Sequence, residues 1–332
     1  MVTIKQVAER AGVAPSTVSR ILNDSTTYAS AKTREKVLQS ARELNYVPNA
    51  NAQRLRSNRM HSIALIIADI TNTAYPPIIQ GIEACARKQG YNVILCITND
   101  DLEIEKYYID KLKNDCVDGF IVCSSIPQSR GIYQLKAEGI PLVLVARSVE
   151  DEFNAVVVDN YNGAYNAVKY LINTGKRSIA IISGDTRITL YKERLKGYKD
   201  ALRNAGLDVR DEMILFDRGN SNALYRTLRT LLEEHETDAI FATTDVRAII
   251  ASKVISDLGL RVPKDISIIG FDNIDISKMV TPSLSTVSQP FYEMGALAAQ
   301  RLIEKIEHGD TQNSAVEVDV MKTELILRES TD

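Results

Sequence analysis

The sequence predicts an α/β protein that carries a separate small helical head. Three observations lead there. Residues 3–23, "TIKQVAERAGVAPSTVSRILN", show helical apolar spacing twice, broken by one glycine; short apolar runs alternate with amphipathic stretches from residue 62 onward; and charge is divided between the two parts. Residues 1–60 hold 10 Lys and Arg against 4 Asp and Glu, while the rest of the chain holds 30 against 39. A basic head on an acidic body fits a polyanionic partner for the head.

In the head, Ile4, Val7, Ala8 and Ala11 recur at helical spacing, Gly12 permits a tight turn, and Val13, Val18, Ile21 and Leu22 form the inner face of a second helix. This is a helix-turn-helix pattern. The second helix turns Pro15, Ser16, Thr17, Ser19 and Arg20 outward, short hydrogen-bonding groups and one forked cation suited to the major groove of double-stranded DNA. A third helix is capped by Ser30 and runs Val37, Leu38, Ala41 and Leu44 along one face. The head is thus expected over residues 1–47. Residues 48–61 follow as a linker with a short hinge helix whose apolar residues are Ala50, Ala52 and Leu55. A lone helix of that length is marginal in water and is expected to order on DNA, with Leu55 as a wedge in the minor groove.

The core is expected over residues 62–330. The runs "IALIIA", "NVILCI", "GFIVC" and "PLVLVA" read as buried parallel strands of one subdomain. A second series, "AVVVD", "SIAIIS", "MILF", "DAIFAT" and "ISIIGF", reads as another. Segments near 146–160 and 284–328, including "KTELILR", return across both halves. Two parallel sheets facing each other leave a cleft beyond their strand C-termini. Strand ends place Asp69, Asn99, Asp100, Arg147, Asp159, Asp185, Asp245 and Asp272 there, an oxygen-rich set suited to hydroxyl groups.

Other classes find little support. There is no apolar run of membrane-spanning length and no export signal, so the chain is expected in the cytoplasm with no membrane partner. Cys85, Cys96, Cys116 and Cys123 form no CxxC pair, and no metal site or cofactor motif is present. Phosphate-loop and nucleophile-elbow patterns are missing, and His61, His235 and His308 belong to no triad. An enzyme is therefore not expected.

The helix-turn-helix segment, joined to "SAKTREKVLQSARELNYVPNANAQRL", resembles the lactose-repressor (LacI/GalR) family of bacterial transcription regulators, and the likeness runs to about Arg328. The resemblance implies a periplasmic-binding-protein-like core of two parallel-sheet subdomains. It implies base reading by Pro15, Ser16 and Arg20, backbone contacts by Thr3, Ser19, Asn23, Ser30, Thr33 and Tyr46, and a minor-groove hinge at Asn49, Ala52 and Leu55. Arg194 in "ERLKGY" and Asp272 in "GFDN" match the family's effector-binding pair; Tyr75 and Phe291 would offer apolar faces to a ring, with Gln289 beside the latter. Departures are Ala14, which lacks the usual capping hydroxyl; a loop between Asn23 and Ser30 about one residue longer than in the lactose repressor; Thr244 before Asp245, where Asn-Asp is common; and Gly219, at the place of an aromatic platform. The expected function is a homodimeric, effector-controlled repressor on a palindromic operator, with a sugar as effector; the alternatives are a purine- or nucleoside-responsive regulator and a sugar-binding protein with no DNA role. No leucine-heptad tail follows Arg328, which favours a dimer over a tetramer.

Overall fold

The computed structural model describes residues 2–22, 29–46, 59–114, 116–123, 129–149, 152–217, 219–309 and 315–331. The chain divides into two compact units, residues 1–60 and 61–332. Asn23 and the hinge residues Asn49, Ala52 and Leu55 lie outside the described residues.

Among the described residues, three helices build the head: α1 (Ile4–Ala11), α2 (Pro15–Leu22) and α3 (Ala31–Glu43). The Thr3 amide donates to Gln6 Oε1 at 2.8 Å and ties down the entry to α1. Gly12 ends that helix in the left-handed region, at φ 67° and ψ 37°, where a side chain would be strained. Ala14 supplies only its carbonyl, which accepts from Thr17 N at 2.9 Å, and Pro15 fills the first helical position. Ser30 caps α3, its Oγ accepting from Thr33 N at 3.3 Å. Val7, Ala8, Ala11, Val18, Ile21, Val37 and Ala41 are buried together, while Leu38, expected on that face, lies outside the cluster. Arg10 clamps α1 to α3 through Glu43 at 2.6 Å.

The core contains two six-stranded sheets. The first has the order β11-β5-β4-β3-β1-β2, from β1 (Ser62–Ile67), β2 (Asn92–Ile97), β3 (Gly119–Val122), β4 (Leu142–Val145), β5 (Ala155–Val158) and β11 (Val318–Met321), all parallel. Helices α4 (Tyr75–Lys88), α5 (Leu102–Leu112), α6 (Arg130–Ala137) and α11 (Phe291–His308) belong with it. The second sheet runs β12-β10-β9-β8-β6-β7, from β6 (Ile179–Ser183), β7 (Ile214–Phe216), β8 (Ala239–Ala242), β9 (Ser267–Asp272), β10 (Ser285–Ser288) and the antiparallel β12 (Glu324–Ile326). Helices α7 (Asn160–Asn173), α8 (Thr189–Asn204), α9 (Ser221–Glu234) and α10 (Asp245–Asp257) cover it.

Near-continuous Val, Ile, Leu and Ala runs form the strands because both faces of each sheet are covered, giving two buried clusters per sheet. One assignment is corrected: "AVVV" opens no second series. It pairs with β4 in the first sheet, Leu144 facing Ala155, and the chain crosses to the other subdomain only afterwards, where Asp159 caps α7. The chain crosses twice more, between β10 and α11 and between β11 and β12. Strand β11, in "VEVDVM", was not expected, and the strand in "KTELILR" is only three residues long.

Candidate functional site

In the head, Thr3, Pro15, Ser16, Arg20 and Ser30 are exposed, while Thr17, Ser19, Thr33 and Tyr46 are half-buried. Pro15, Ser16 and Arg20 come from a single short helix held from behind by Val18 and Ile21, the latter 2% exposed. A rigid helix offering small polar groups and one guanidinium can enter a major groove.

The core places the C-terminal ends of its parallel strands around an open cleft of about 660 Å³. The first subdomain contributes Asp100 and Arg147; the second contributes residues 185–188, Tyr191, Phe216, Asp217, Gly219 and Arg247. Several strand ends hold left-handed backbone at non-glycine residues: Asn99 at φ 53°, Asp100 at 57°, Ala146 at 60° and Asn273 at 58°, with Asp272 at 131°. Such conformations cost free energy and concentrate at ligand clamps.

The cleft alternates cations and anions. Arg247 Nε donates to Asp217 Oδ2 at 3.0 Å, both side chains nearly buried, and Arg187 Nε donates to Asp185 Oδ2 at 2.8 Å. Arg147 stands beside the Tyr75 hydroxyl and within the field of Asp100. Adjoining this lining is an inner wall. Arg194 is 3% exposed; its Nε donates to Asn160 Oδ1 at 2.8 Å, its Nη1 to the Thr243 carbonyl at 2.6 Å, and its guanidinium lies 3.5 Å from the centre of the Phe271 ring. Asp272 is 3.9 Å from Arg194 and accepts from Gln289 Nε2 at 2.7 Å. Burial pushes Asp272 up to about 7, against the pull of Arg194, and lowers Arg194 to about 10. Behind them Asp245 accepts from Ile274 N at 2.9 Å and from the Thr286 hydroxyl at 2.5 Å, and burial lifts it to about 6.

The structure therefore brings together Arg194, Asp272 and Gln289, and puts Arg147 in the cleft. Thr244 caps α10, accepting from Arg247 N and Nη1 at 3.4 Å, so it steadies a cleft arginine. Tyr75 and Phe291 are not the open aromatic faces expected: both are buried in the first subdomain's core, the Tyr75 hydroxyl donating to the Cys123 carbonyl at 3.4 Å. Among the described residues, the rings that line the cleft are Tyr191 and Phe216. Sequence reasoning missed both, together with Arg187, Asp217 and Arg247. Asp217 directly follows a strand and could have been found; Arg247, in the first turn of a helix, gave no separate signal. Of the remaining strand-end carboxylates, Asp69 bonds Thr71 and Asp159 caps α7, local roles at loop starts.

The pattern described as "Bacterial regulatory proteins, lacI family" matches residues 3–49, and that described as "Periplasmic binding proteins and sugar binding domain of LacI family" matches residues 60–324. The chain belongs to the LacI family of bacterial transcription regulators. It is 36% identical over 332 residues to the ribose operon repressor of Halalkalibacterium halodurans, with 100% of this chain and 97% of that protein covered. It is 37% identical to the catabolite control protein A of Priestia megaterium, covering 95% of each. Among solved structures, the lac repressor dimer bound to operator and the anti-inducer ONPF superposes with a TM-score of 0.86 at 26% identity, covering 99% of both chains. The transcriptional regulator CelR–cellobiose complex gives 0.76 at 29%, covering 99% of this chain and 100% of that one. This LacI-family chain is a regulator with a DNA-binding head and an effector-binding core. Among its described residues no helix is long and apolar enough to cross a membrane.

Proposed function

We propose that the chain is a homodimeric repressor released from a palindromic operator by a neutral, hydroxyl-rich effector, a sugar. The observation that carries the effector class is the balanced lining: Arg147, Arg187 and Arg247 face Asp100, Asp185 and Asp217 around one cleft. Guanidinium forks donate and carboxylates accept, so the hydroxyls of a neutral ligand find both partners in this lining. The ribose operon repressor and the CelR–cellobiose complex support the same class. Arg194, Asp272 and Gln289 are assigned to the inner wall of the effector site, Arg147 to its outer rim, and Tyr75 a hydroxyl beside that rim.

In the head, Pro15, Ser16 and Arg20 read bases and Thr17 lies at the groove wall. Thr3, Ser19, Asn23, Ser30, Thr33 and Tyr46 hold the backbone, and Asn49, Ala52 and Leu55 engage the minor groove. A second copy fits the second subdomain where Val246, Ile276 and Met279 are exposed, Met279 by 75%. Effector capture draws the subdomains together about the three crossings, each a short link able to absorb rotation, and the sugar needs only a few kcal/mol of preference for the closed state.

Thermal-shift screening against monosaccharides, disaccharides, nucleosides and purines tests the effector class. A sugar is expected to stabilise the protein and release DNA from its own upstream region; stabilisation by purines alone would overturn the reading.

A further inference from the structure

The carboxylate assigned to the effector site stands on backbone that would relax if left alone. Asp272 is at φ 131° and Asn273 at φ 58°, two consecutive non-glycine residues on the left-handed side, where an L side chain is disfavoured. Such a turn persists only where its surroundings over-determine it. On one side the backbone is held by Asp245 and Thr286. The Asn273 amide donates to Thr286 Oγ1 at 3.2 Å, the Ile274 amide donates to Asp245 Oδ2 at 2.9 Å, and the Thr286 hydroxyl donates on to Asp245 Oδ1. Asp245 comes this close because residue 270 is glycine, where a Cβ would collide with Asp245 Oδ1.

The Asn273 side chain closes the other side. Its Nδ2 donates to Ser288 Oγ at 3.1 Å, on the β10 residue that pairs with Asp272, and its Oδ1 accepts from Arg328 Nη2 at 2.6 Å. Arg328 is itself anchored. Its Nη1 donates to the Leu284 carbonyl at 2.6 Å and to Ser277 Oγ at 3.1 Å, and its amide donates to Ser285 Oγ at 2.7 Å. A planar guanidinium fixed at one arm makes a stiff strut at the other. The strut ends on the residue next to Asp272, whose carboxylate accepts from Gln289 and stands 3.9 Å from Arg194. A binding group works only when held within about 0.5 Å of its productive place, and slackening of this turn would swing the carboxylate away from both partners.

We propose, resting on the assignment of Asp272 to the effector site, that Asn273 and Arg328 are positioning residues. They set effector affinity without touching the effector, by locking the strained 272–273 turn so that the Asp272 carboxylate meets a ligand hydroxyl already in place.

The test is a double-mutant cycle read by calorimetric titration of the full chain, well below each variant's melting midpoint. The probes are ribose, glucose, galactose, cellobiose, adenosine and hypoxanthine, and the tightest binder is carried through the cycle. Asn273→Gly removes both side-chain bonds while glycine takes the left-handed backbone without strain, so it should fold and bind the probe about tenfold more weakly. Asn273→Asp, which still accepts from Arg328, should stay within about threefold of the parent. Arg328→Lys, a point charge unable to bridge Asn273, Leu284 and Ser277 together, should weaken binding about as much as Asn273→Gly. In an Asp272→Asn background, Asn273→Gly should cost less than about threefold, because the carboxylate it positions is gone; a merely structural role would cost the same in both backgrounds. Equal losses in the two backgrounds, or parent-like affinity of Asn273→Gly, would overturn the positioning role and leave Asp272 in the site. Parent-like affinity of Asp272→Asn alone, or binding of none of the probes, would remove the effector assignment and this proposal with it. Adenosine or hypoxanthine as the tightest binder would overturn the sugar reading, and the same cycle would still decide the positioning role.

Discussion

Arg194→Ala should damage the free protein as well as its response to effector. The guanidinium is already held by the protein itself: it donates to Asn160 Oδ1 at 2.8 Å and to the Thr243 carbonyl at 2.6 Å, faces Asp272 at 3.9 Å and covers the Phe271 ring at 3.5 Å. Asn160 and Thr243 are buried, so truncation leaves two acceptors without a donor and a carboxylate without its counter-cation. A hydrogen bond to a charged donor contributes about 1.5–3 kcal/mol, and removing one member of a buried pair costs about 3–5 kcal/mol. These contributions overlap rather than add, which puts the loss near ~4 kcal/mol. For a unit of this size roughly 2 °C accompanies each kcal/mol, so the core's melting midpoint should drop about 8 °C without any sugar present. Arg194→Lys, keeping the charge and losing the fork, should fall about halfway. Differential scanning calorimetry of the ligand-free variants measures this. A midpoint within a degree of the parent for Arg194→Ala, with only effector binding lost, would refute the view that this arginine braces the inner wall.

Four further outcomes are expected. Asp272→Ala should abolish effector-induced release while preserving operator binding, measured by fluorescence anisotropy on labelled operator; a normal response would remove Asp272 from the site. Asp272 and Asp245, lifted by burial from the ordinary 3.8 to about 7 and about 6, hold protons more tightly folded than unfolded. Their contribution to stability is therefore full below about pH 4 and declines as pH rises toward 7, so Asp272→Asn should gain on the parent protein between pH 5 and about 7.5 in urea unfolding; a gain that shrinks with rising pH would contradict the assignment. In the head, Gly12→Ala should destabilise by about 1 kcal/mol because of its left-handed backbone, and Ala14→Ser should stabilise by about as much through the missing cap, both read by thermal denaturation of the full chain. Leu55→Ala should lower operator affinity at least tenfold while leaving binding to random duplex nearly unchanged; an unaltered footprint would count against the wedge.

The head was legible in the sequence because its signals are local: the two helical spacings, Gly12 at the turn and Ser30 at the cap all act within a few residues. Strand positions in the core were equally plain, since buried parallel strands are continuous apolar runs. Sheet membership was not. "AVVV" looks the same whichever sheet it joins, and only the pairing of Leu144 with Ala155 decides it. Strand β11 escaped because "VEVDVM" alternates over too few residues, at an edge where its side chains stay partly exposed. At the site, Arg194 came from the family resemblance and Asp272 from a strand end that the resemblance then singled out; the structure sets the two 3.9 Å apart, with Gln289 on Asp272. Tyr75 and Phe291 were read as open faces because aromatic composition does not distinguish a core ring from a cleft ring. Phe216, Tyr191 and Arg247 converge from a strand end, a helix face and a helix first turn, a juxtaposition that no single stretch of sequence encodes.

The central claim is that occupancy of the core cleft controls a sequence-selective grip by the head. Its most direct test is titration of the intact protein onto its own upstream DNA at physiological ionic strength, against excess random duplex, with and without the most stabilising sugar. The account predicts a protected palindromic site that survives the competitor and is lost when the sugar saturates the cleft. Equal affinity for the random duplex, or a protected site indifferent to a sugar shown to be bound, would contradict it.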